Sequence, residues 1–457
     1  MKKILIAITI ILSIFIGMLC SCDVTVGTPT SSATAGDVTS TIEIEIPSES
    51  SNAAPIQRKY TRVFEMQNQN DIVLKFDTDA DWIYHVMIGD TVVSPLNYRF
   101  VDKTLTIYKD EIASYGISNK TIKVQFVEGG PIKSFNLMIV DKIIKTCDDF
   151  QGIRDHLDWH YVLGNDLDFS DADNFYPIGN DAQQHYNEIS MSYETGLAFT
   201  GSLNGLGHTV SNLTANADDM TDAEIFTETN VNVPYEYGSL HYDKVRPCFG
   251  IFMLNKGTIE NICFKNCTVR NSCGTVMGLV VAANEGTIEN VKLDGGRVIG
   301  ADMWLDFNCF IGGFAGTNGA GGNISNCISL VNQISADMTG TLARAFVGKS
   351  WGTVALSYAR SDGIRLSEVT PANPQPAMYV LTNETNPHTL CAETCYGFGY
   401  LAIQDGVQYG EFYKCATLKE SEMLQSESSD IYASFSTNVW SKANGTIPSL
   451  IIHDINP

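Results

Sequence analysis

The sequence predicts an all-β protein in which a small β-sandwich precedes a right-handed parallel β-helix. Three observations carry this. Glycine is frequent, at 38 of 457 residues, and no long stretch repeats apolar residues at i, i+3, i+4 and i+7, so long α-helices have little to build on. Between Tyr60 and Lys142 short runs alternate apolar and polar residues. After Cys147 a glycine-containing unit recurs in steps of 29, 36 and 30 residues, counted at Gly257, Gly286, Gly322 and Gly352. A period of that size means stacked units that share one core.

The chain opens Met1-Lys2-Lys3 and then carries no charge from Ile4 to Leu19. A basic tip before an apolar segment too short for a comfortable membrane span predicts an export signal over residues 1–21. The Leu19-Cys20-Ser21-Cys22 that ends it resembles a bacterial lipobox. The resemblance implies cleavage before Cys22, a diacylglycerol thioether on Cys22 and a lipid-anchored, extracytoplasmic place in a bacterial cell envelope. Cys20 fits less well, because Leu19 would put a bulky side chain at the cleavage position. Two acyl chains suffice for stable anchoring. Residues 22–58 form the expected tether. Between 23 and 55 there are twelve Ser or Thr and no aromatic residue. Such a segment cannot bury a core and reaches roughly 30 Å as a random coil. Losing Lys2 and Lys3 takes the net charge from −23 to −25. That charge excludes nucleic acid or an anionic lipid surface as an electrostatic partner.

Residues 59–142 hold "VFEM", "IVLKF", "WIYHVMI", "TLTIY", "TIKVQFV" and "SFNLMIV", separated by turn signals such as Ile88-Gly89-Asp90 and Gly129-Gly130-Pro131. Short strands at this spacing predict a β-sandwich. The stretch from Asn97 to Gly130 resembles the X2 immunoglobulin-like module of bacterial surface proteins. Its marks are Tyr98, Leu105-Thr106-Ile107, Tyr115 and a long strand over Thr121–Val127, with Asn97 where the family usually has Asp. The resemblance implies a spacer or a carbohydrate-binding module. Asp77, Asp79 and Asp81 alternate as in a calcium loop but lack its Gly and Glu, so a hairpin turn is expected there.

The repeats over 143–457 read "GIFMLNKGTIENICF" from Gly250, "GLVVAANEGTIENVKL" from Gly278 and "GFAGTNGAGGNISNCIS" from Gly313. A degenerate copy starts at Val347 and an earlier relative at Phe199. Ile259, Ile262 and Phe264 are spaced three then two, as are Ile288, Val291 and Leu293. Alternation with a one-residue slip predicts two short strands meeting at a corner, with Asn261 or Asn290 as the left-handed corner residue. This unit resembles the GLUG motif, whose Gly-Leu-x-Gly and Asn-x-Gly mark each coil. "YVLGNDLDFSDADNFYPIG" (161–179) and "NVWSKANGTIPSL" (438–450) resemble the opening and the end of such helices.

Chemistry is sparse. Glu260 and Glu289 share one repeat position and are expected to face outward one coil apart, near the spacing of a retaining glycosidase pair. Ser325 and Ala355 follow in that column, so it tolerates change. Asp166, Asp168, Asp171 and Asp173 are expected to cap turns. Gly207-His208-Thr209 resembles the Gly-His-Gly of pectin-degrading helices without its second Gly. The cysteines are expected to be mostly buried free thiols, since Cys263/Cys267 and Cys391/Cys395 are too far apart along a strand to bond. No metalloprotease or nucleophile-turn motif occurs, so no catalytic residue, metal or cofactor is expected. The insertions 216–247 and 301–308 place Tyr235, Tyr237, Tyr242 and Trp304 among acids, a composition suited to sugar stacking and hydroxyl hydrogen bonds. From the net charge, neutral glycans are the expected ligands. The expected role is binding or adhesion, to glycans or to host or cell-wall surface components. A polysaccharide-processing enzyme and a purely structural envelope protein are the alternatives.

Overall fold

The structure, a computed structural model, describes residues 61–179, 198–217, 248–271, 276–300, 310–336, 342–361 and most of 432–454, with a few short strands between them. Residues 1–60, and with them Cys20, Cys22 and the tether, lie outside the described residues.

The fold is all-β. Eight strands build the first part: β1 (Thr61–Glu65), β2 (Ile72–Lys75), β3 (His85–Ile88), β4 (Thr91–Val92), β5 (Tyr98–Val101), β6 (Thr104–Ile107), β7 (Ser118–Gln125) and β8 (Ile132–Val140). One sheet runs β1-β8-β7-β3-β4 and the other β2-β6-β5. Alternation places Val86, Ile122, Val124 and Leu137 inward, where they are wholly buried with Leu74, Leu105 and Ile107. A short helix, α1 (Lys109–Ala113), adds Ile112 to this core. Within the larger sheet only β1 and β8 pair in parallel.

The structure corrects two strand assignments. "WIYHVMI" is a strand only from His85, and the long strand spans Ser118–Gln125 instead of Thr121–Val127. Ile83 and Val86 both enter the core although they are three residues apart. Strict alternation cannot bury both, so the chain bends before β3 and leaves Trp82 and Tyr84 exposed.

β8 passes through the single residue Asp141 into β9 (Lys142–Ile144), which pairs with β10 (His160–Leu163) in the first sheet of the helix. Met138 and Val140 pack on Val162 and Leu206. The Ile143 amide donates to Glu65 Oε1 at 3.0 Å and the His160 amide to Asp141 Oδ2 at 2.8 Å. A short helix, α2 (Cys147–Gln151), carries a capping box between Thr146 and Asp149.

From residue 248 each coil contributes five short strands. One coil has Cys248–Phe249, Phe252–Asn255, Thr258–Glu260, Cys263–Lys265 and Thr268–Asn271. The next has Val276–Gly278, Val281–Asn284, Thr287–Glu289, Lys292–Asp294 and Arg297–Gly300. Each strand pairs in parallel with its counterpart, Ile259 with Ile288 and Phe264 with Leu293. Ile259, Ile262, Phe264, Ile288, Val291 and Leu293 are all fully buried, as their spacing predicts.

Asn261, Asn290 and Asn326 hold the corner at φ of 57°, 55° and 51°. A second corner, not anticipated, is held by Asn212, Asn266 and Gly295 at 58°, 53° and 80°. The repeated Gly286 serves close approach: a Cβ there would collide with the Gly257 carbonyl oxygen. Asn255 and Asn284 of the Asn-x-Gly turns, with Asn318 at the same position of the next coil, form a buried ladder. Asn255 Nδ2 donates to Asn284 Oδ1 and Asn284 Nδ2 to Asn318 Oδ1, both at 2.8 Å. Asn318 Nδ2 then reaches Ser350 Oγ at 3.2 Å.

The C-terminal segment lies against the outside of the coils. Tyr432, Phe435, Trp440 and Leu450 form a core with Ile328 and Tyr358. Those two occupy an outward register position that holds Lys292 one coil earlier.

The register has a direct check. Ile259→Ala or Ile288→Ala should each lower the unfolding free energy by about 2–5 kcal/mol. Alanine at half-exposed Thr258 should change it by under about 0.5 kcal/mol. Equal losses at Ile259 and Thr258 in urea denaturation would contradict the inward assignment.

Candidate functional site

Tyr235, Tyr237, Trp304 and Cys391 lie outside the described residues. Tyr242 ends a strand, Leu240–Tyr242, that pairs with Val231–Val233, and only its backbone is described.

The Glu260–Glu289 pair is in register as expected. Its environment corrects the expectation of a freely exposed position. Glu260 is half-buried and accepts from Asn204 Nδ2 at 2.7 Å. Glu289 Oε1 accepts from Asn326 Nδ2 at 3.3 Å. Corner asparagines such as Asn261, almost wholly buried, pack beside the column and remove water from it. Burial pushes the Glu260 carboxyl up, the Asn204 hydrogen bond opposes this, and the charge of Glu289 adds to it.

Asp166 Oδ1 accepts from the Thr209 amide and contacts His208 Nδ1, each at 2.9 Å. Asp168 Oδ1 caps the Ser170 amide at 3.0 Å and takes Asn212 Nδ2 at 2.8 Å. Asp168 thus caps a local turn, as expected for this acidic run, whereas Asp166 ties its turn to the neighbouring coil instead. One coil on, Cys263 pairs in register with Thr209, and its amide donates to the His208 carbonyl at 3.1 Å. Burial pushes its thiol up to about 11, so it stands protonated and is no activated nucleophile. Cys248 is buried, Cys267 and Cys327 are buried free thiols, and burial takes the Cys267 thiol up to about 12.

The described surface best suited to a ligand is on the sandwich. Ahead of β3 three rings follow one another. Trp82 and Tyr84 meet edge to face with centroids 6.4 Å apart, and Tyr84 lies 4.9 Å from the His85 ring. Trp82 is 60% exposed and Tyr84 39%. The Tyr84 amide donates to the Gln125 carbonyl at 2.9 Å, which fixes the rings to β7. In the core of the sandwich Phe76 packs edge to face on Phe126 and Phe135, at 5.1 and 5.7 Å.

His85 points outward, since Val86 points in. Across the same outer face its row is His85–Gln125–Ile132, then Met87–Lys123–Ser134, then Thr121–Asn136. Thr121 and Asn136 line a cavity of about 390 Å³ with Gly89, Asp90, Asn119, Lys120, Lys123 and Met138. At roughly 3.3 Å per strand residue, the Thr121–Asn136 pair of this basin lies about 13 Å from the ring row, with Lys123 midway between. Rings at one end and convergent amide, hydroxyl and ammonium groups at the other suit an extended polar ligand with apolar faces. A larger hollow of about 550 Å³ beside α2 is lined by Asp148, Gln151, Gly152, Arg154 and Asp155, with no ring among them. In the sequence "DWIYH" reads as strand, and the trace it leaves is Trp82 and Tyr84 on the face opposite Ile83.

No protein-family model matches the sequence, so neither the X2 nor the GLUG resemblance has that support. No curated protein matches it either. A similar solved structure is the 1.30 Å crystal structure of a provisionally assigned immunoglobulin A1 protease from Bacteroides ovatus. The two share 15% identity with a TM-score of 0.44, over 68% of this chain and 92% of that one. A likeness at this level carries no functional argument.

Proposed function

We propose that the protein is a lipid-anchored, extracytoplasmic binding protein of the bacterial envelope, and that it holds glycans on the outer face of its sandwich. The observation that supports this reading is the exposed Trp82, stacked into a row of rings that leads to a polar basin. Ring faces would stack on sugar C–H faces while Asn119, Thr121 and Asn136 exchange hydrogen bonds with hydroxyls. An X2-like ancestry for the sandwich and a GLUG-like one for the coils fit this role and belong to the same proposal. So does the absence of a catalytic step. Tyr235, Tyr237, Tyr242 and Trp304 belong to the proposal as further glycan-contacting residues.

A glycan array probed with the full chain tests the reading. Trp82→Ala should weaken binding of any positive glycan by about 1 kcal/mol or more, with the thermal midpoint unchanged, because the ring is largely solvated. An array with no positive, or hits indifferent to Trp82→Ala, would refute it. Anchoring has its own test. Cys22→Ala should abolish labelling by radioactive palmitate and membrane retention, and Cys20→Ala should leave both intact. Equal labelling of the Cys22→Ala chain would overturn the assigned anchor.

A further inference from the structure

We infer that the basin end of the sandwich face is a subsite for the carboxylate of an acidic sugar, so that the glycan bound there carries uronate units. The inference rests on the proposed glycan-binding reading and deepens it. Its ground is the charge at the basin, which runs opposite to that of the whole chain. Lys120 and Lys123 line it against one acid, Asp90. Lys123 Nζ stands 3.3 Å from Asp90 Oδ1, but the Asp90 side chain is fully exposed. An exposed pair of that kind holds weakly, so an incoming carboxylate competes with it on near-equal terms. Lys120 has no ion-pair partner among the described residues, and its stem lies along Gly89, with Cδ 3.7 Å from where a Cβ would stand.

Net charge predicts the opposite preference, and screening explains why it does not govern here. At physiological ionic strength fields fall off over about 8 Å. A ligand carboxylate in the basin therefore responds to Lys120, Lys123 and Asp90 and hardly to the acids spread over the remainder of the surface. Asn119, Thr121 and Asn136 would take neighbouring hydroxyls, and the ring row about 13 Å away would take a further sugar unit of the same chain.

The test is a titration of the full chain with matched polymers. Polygalacturonate is compared with its methyl ester, and carboxymethyl-cellulose with hydroxyethyl-cellulose. At about 0.15 M NaCl, where the charge of the whole chain is screened, the acidic member of at least one pair should bind about tenfold more tightly, and the gap should narrow in about 0.5 M NaCl. Lys120→Gln with Lys123→Gln should remove the preference. Asp90→Asn should raise affinity for the acidic member about two- to fivefold, a gain that misfolding cannot produce. Equal affinity within both pairs, no binding to any of the four polymers, or a preference that survives the double lysine variant would overturn the subsite and leave the face itself standing. Binding to these polymers that ignores Trp82→Ala would instead count against the glycan-binding face.

Discussion

Asn284→Ala should cost about 2–6 kcal/mol of folding stability, as read from chemical denaturation. Asn284 is fully buried, receives a hydrogen bond from Asn255 and gives one to Asn318. Alanine leaves Asn255 Nδ2 without its acceptor and Asn318 Oδ1 without its donor, inside the coils and away from water. Each stranded polar group costs about 1–3 kcal/mol, which sets the range. The effect should exceed what the lost contact area alone would give, since alanine fills less space but demands nothing polar. Asn323→Ala is the comparison: Asn323 stands on the next coil, paired with Thr287, and is half-exposed, so it should change stability by under about 0.5 kcal/mol. Similar values for the two would mean that the ladder contributes little.

Trp440→Ala should cost about 3–5 kcal/mol, the usual range for removing a buried large ring. Trp440 is 1% exposed, with Phe435 at 4.6 Å and Tyr358 at 6.0 Å between ring centroids. Its Nε1 donates to Asn326 Oδ1 at 3.0 Å, and Asn326 is itself a corner residue. Trp440→Phe keeps most of the packing and loses this bond, so it should cost about 0.5–1.5 kcal/mol for the bond and a further packing share. Hydrogen exchange should locate the damage. The amides of 432–452 should exchange faster in Trp440→Ala while those near Ile259 keep their protection. Uniform loss of protection across the coils would show that the segment and the coils unfold as one unit.

The coils were legible in the sequence because their rule is local. Ile259, Ile262 and Phe264 announce two strands and a corner within six residues, and Asn261 names the corner residue. The outer packing of the C-terminal segment was not legible, because Trp440 and Asn326 are 114 positions apart and no local period joins them. A trace existed all the same. Where Lys292 stands in one coil, Ile328 and Tyr358 stand in the next two, an outward column turning apolar that asks for a cover. The ring platform was missed for a different reason. Trp82 and Tyr84 sit in a run whose composition reads as strand, and only the burial of both Ile83 and Val86 forces the bend that exposes the rings. The Tyr-rich insertion drew attention by composition alone, and composition does not say where a ring points.

The parallel pairing of β1 with β8 has a mechanical consequence. The chain enters the sandwich at the start of β1 and leaves it for the coils at the end of β8, and in a parallel pair those two points lie at opposite ends of the ladder. A pull between the N-terminal side and the coils would slide β1 along β8 and load all five rungs, from Thr61–Asn136 to Glu65–Val140, at the same moment. An antiparallel pair pulled from one end would instead open rung by rung like a zip. The fold thus sets the stronger of the two geometries across the line of tension, where a protein held at one end and gripped at the other would bear its load.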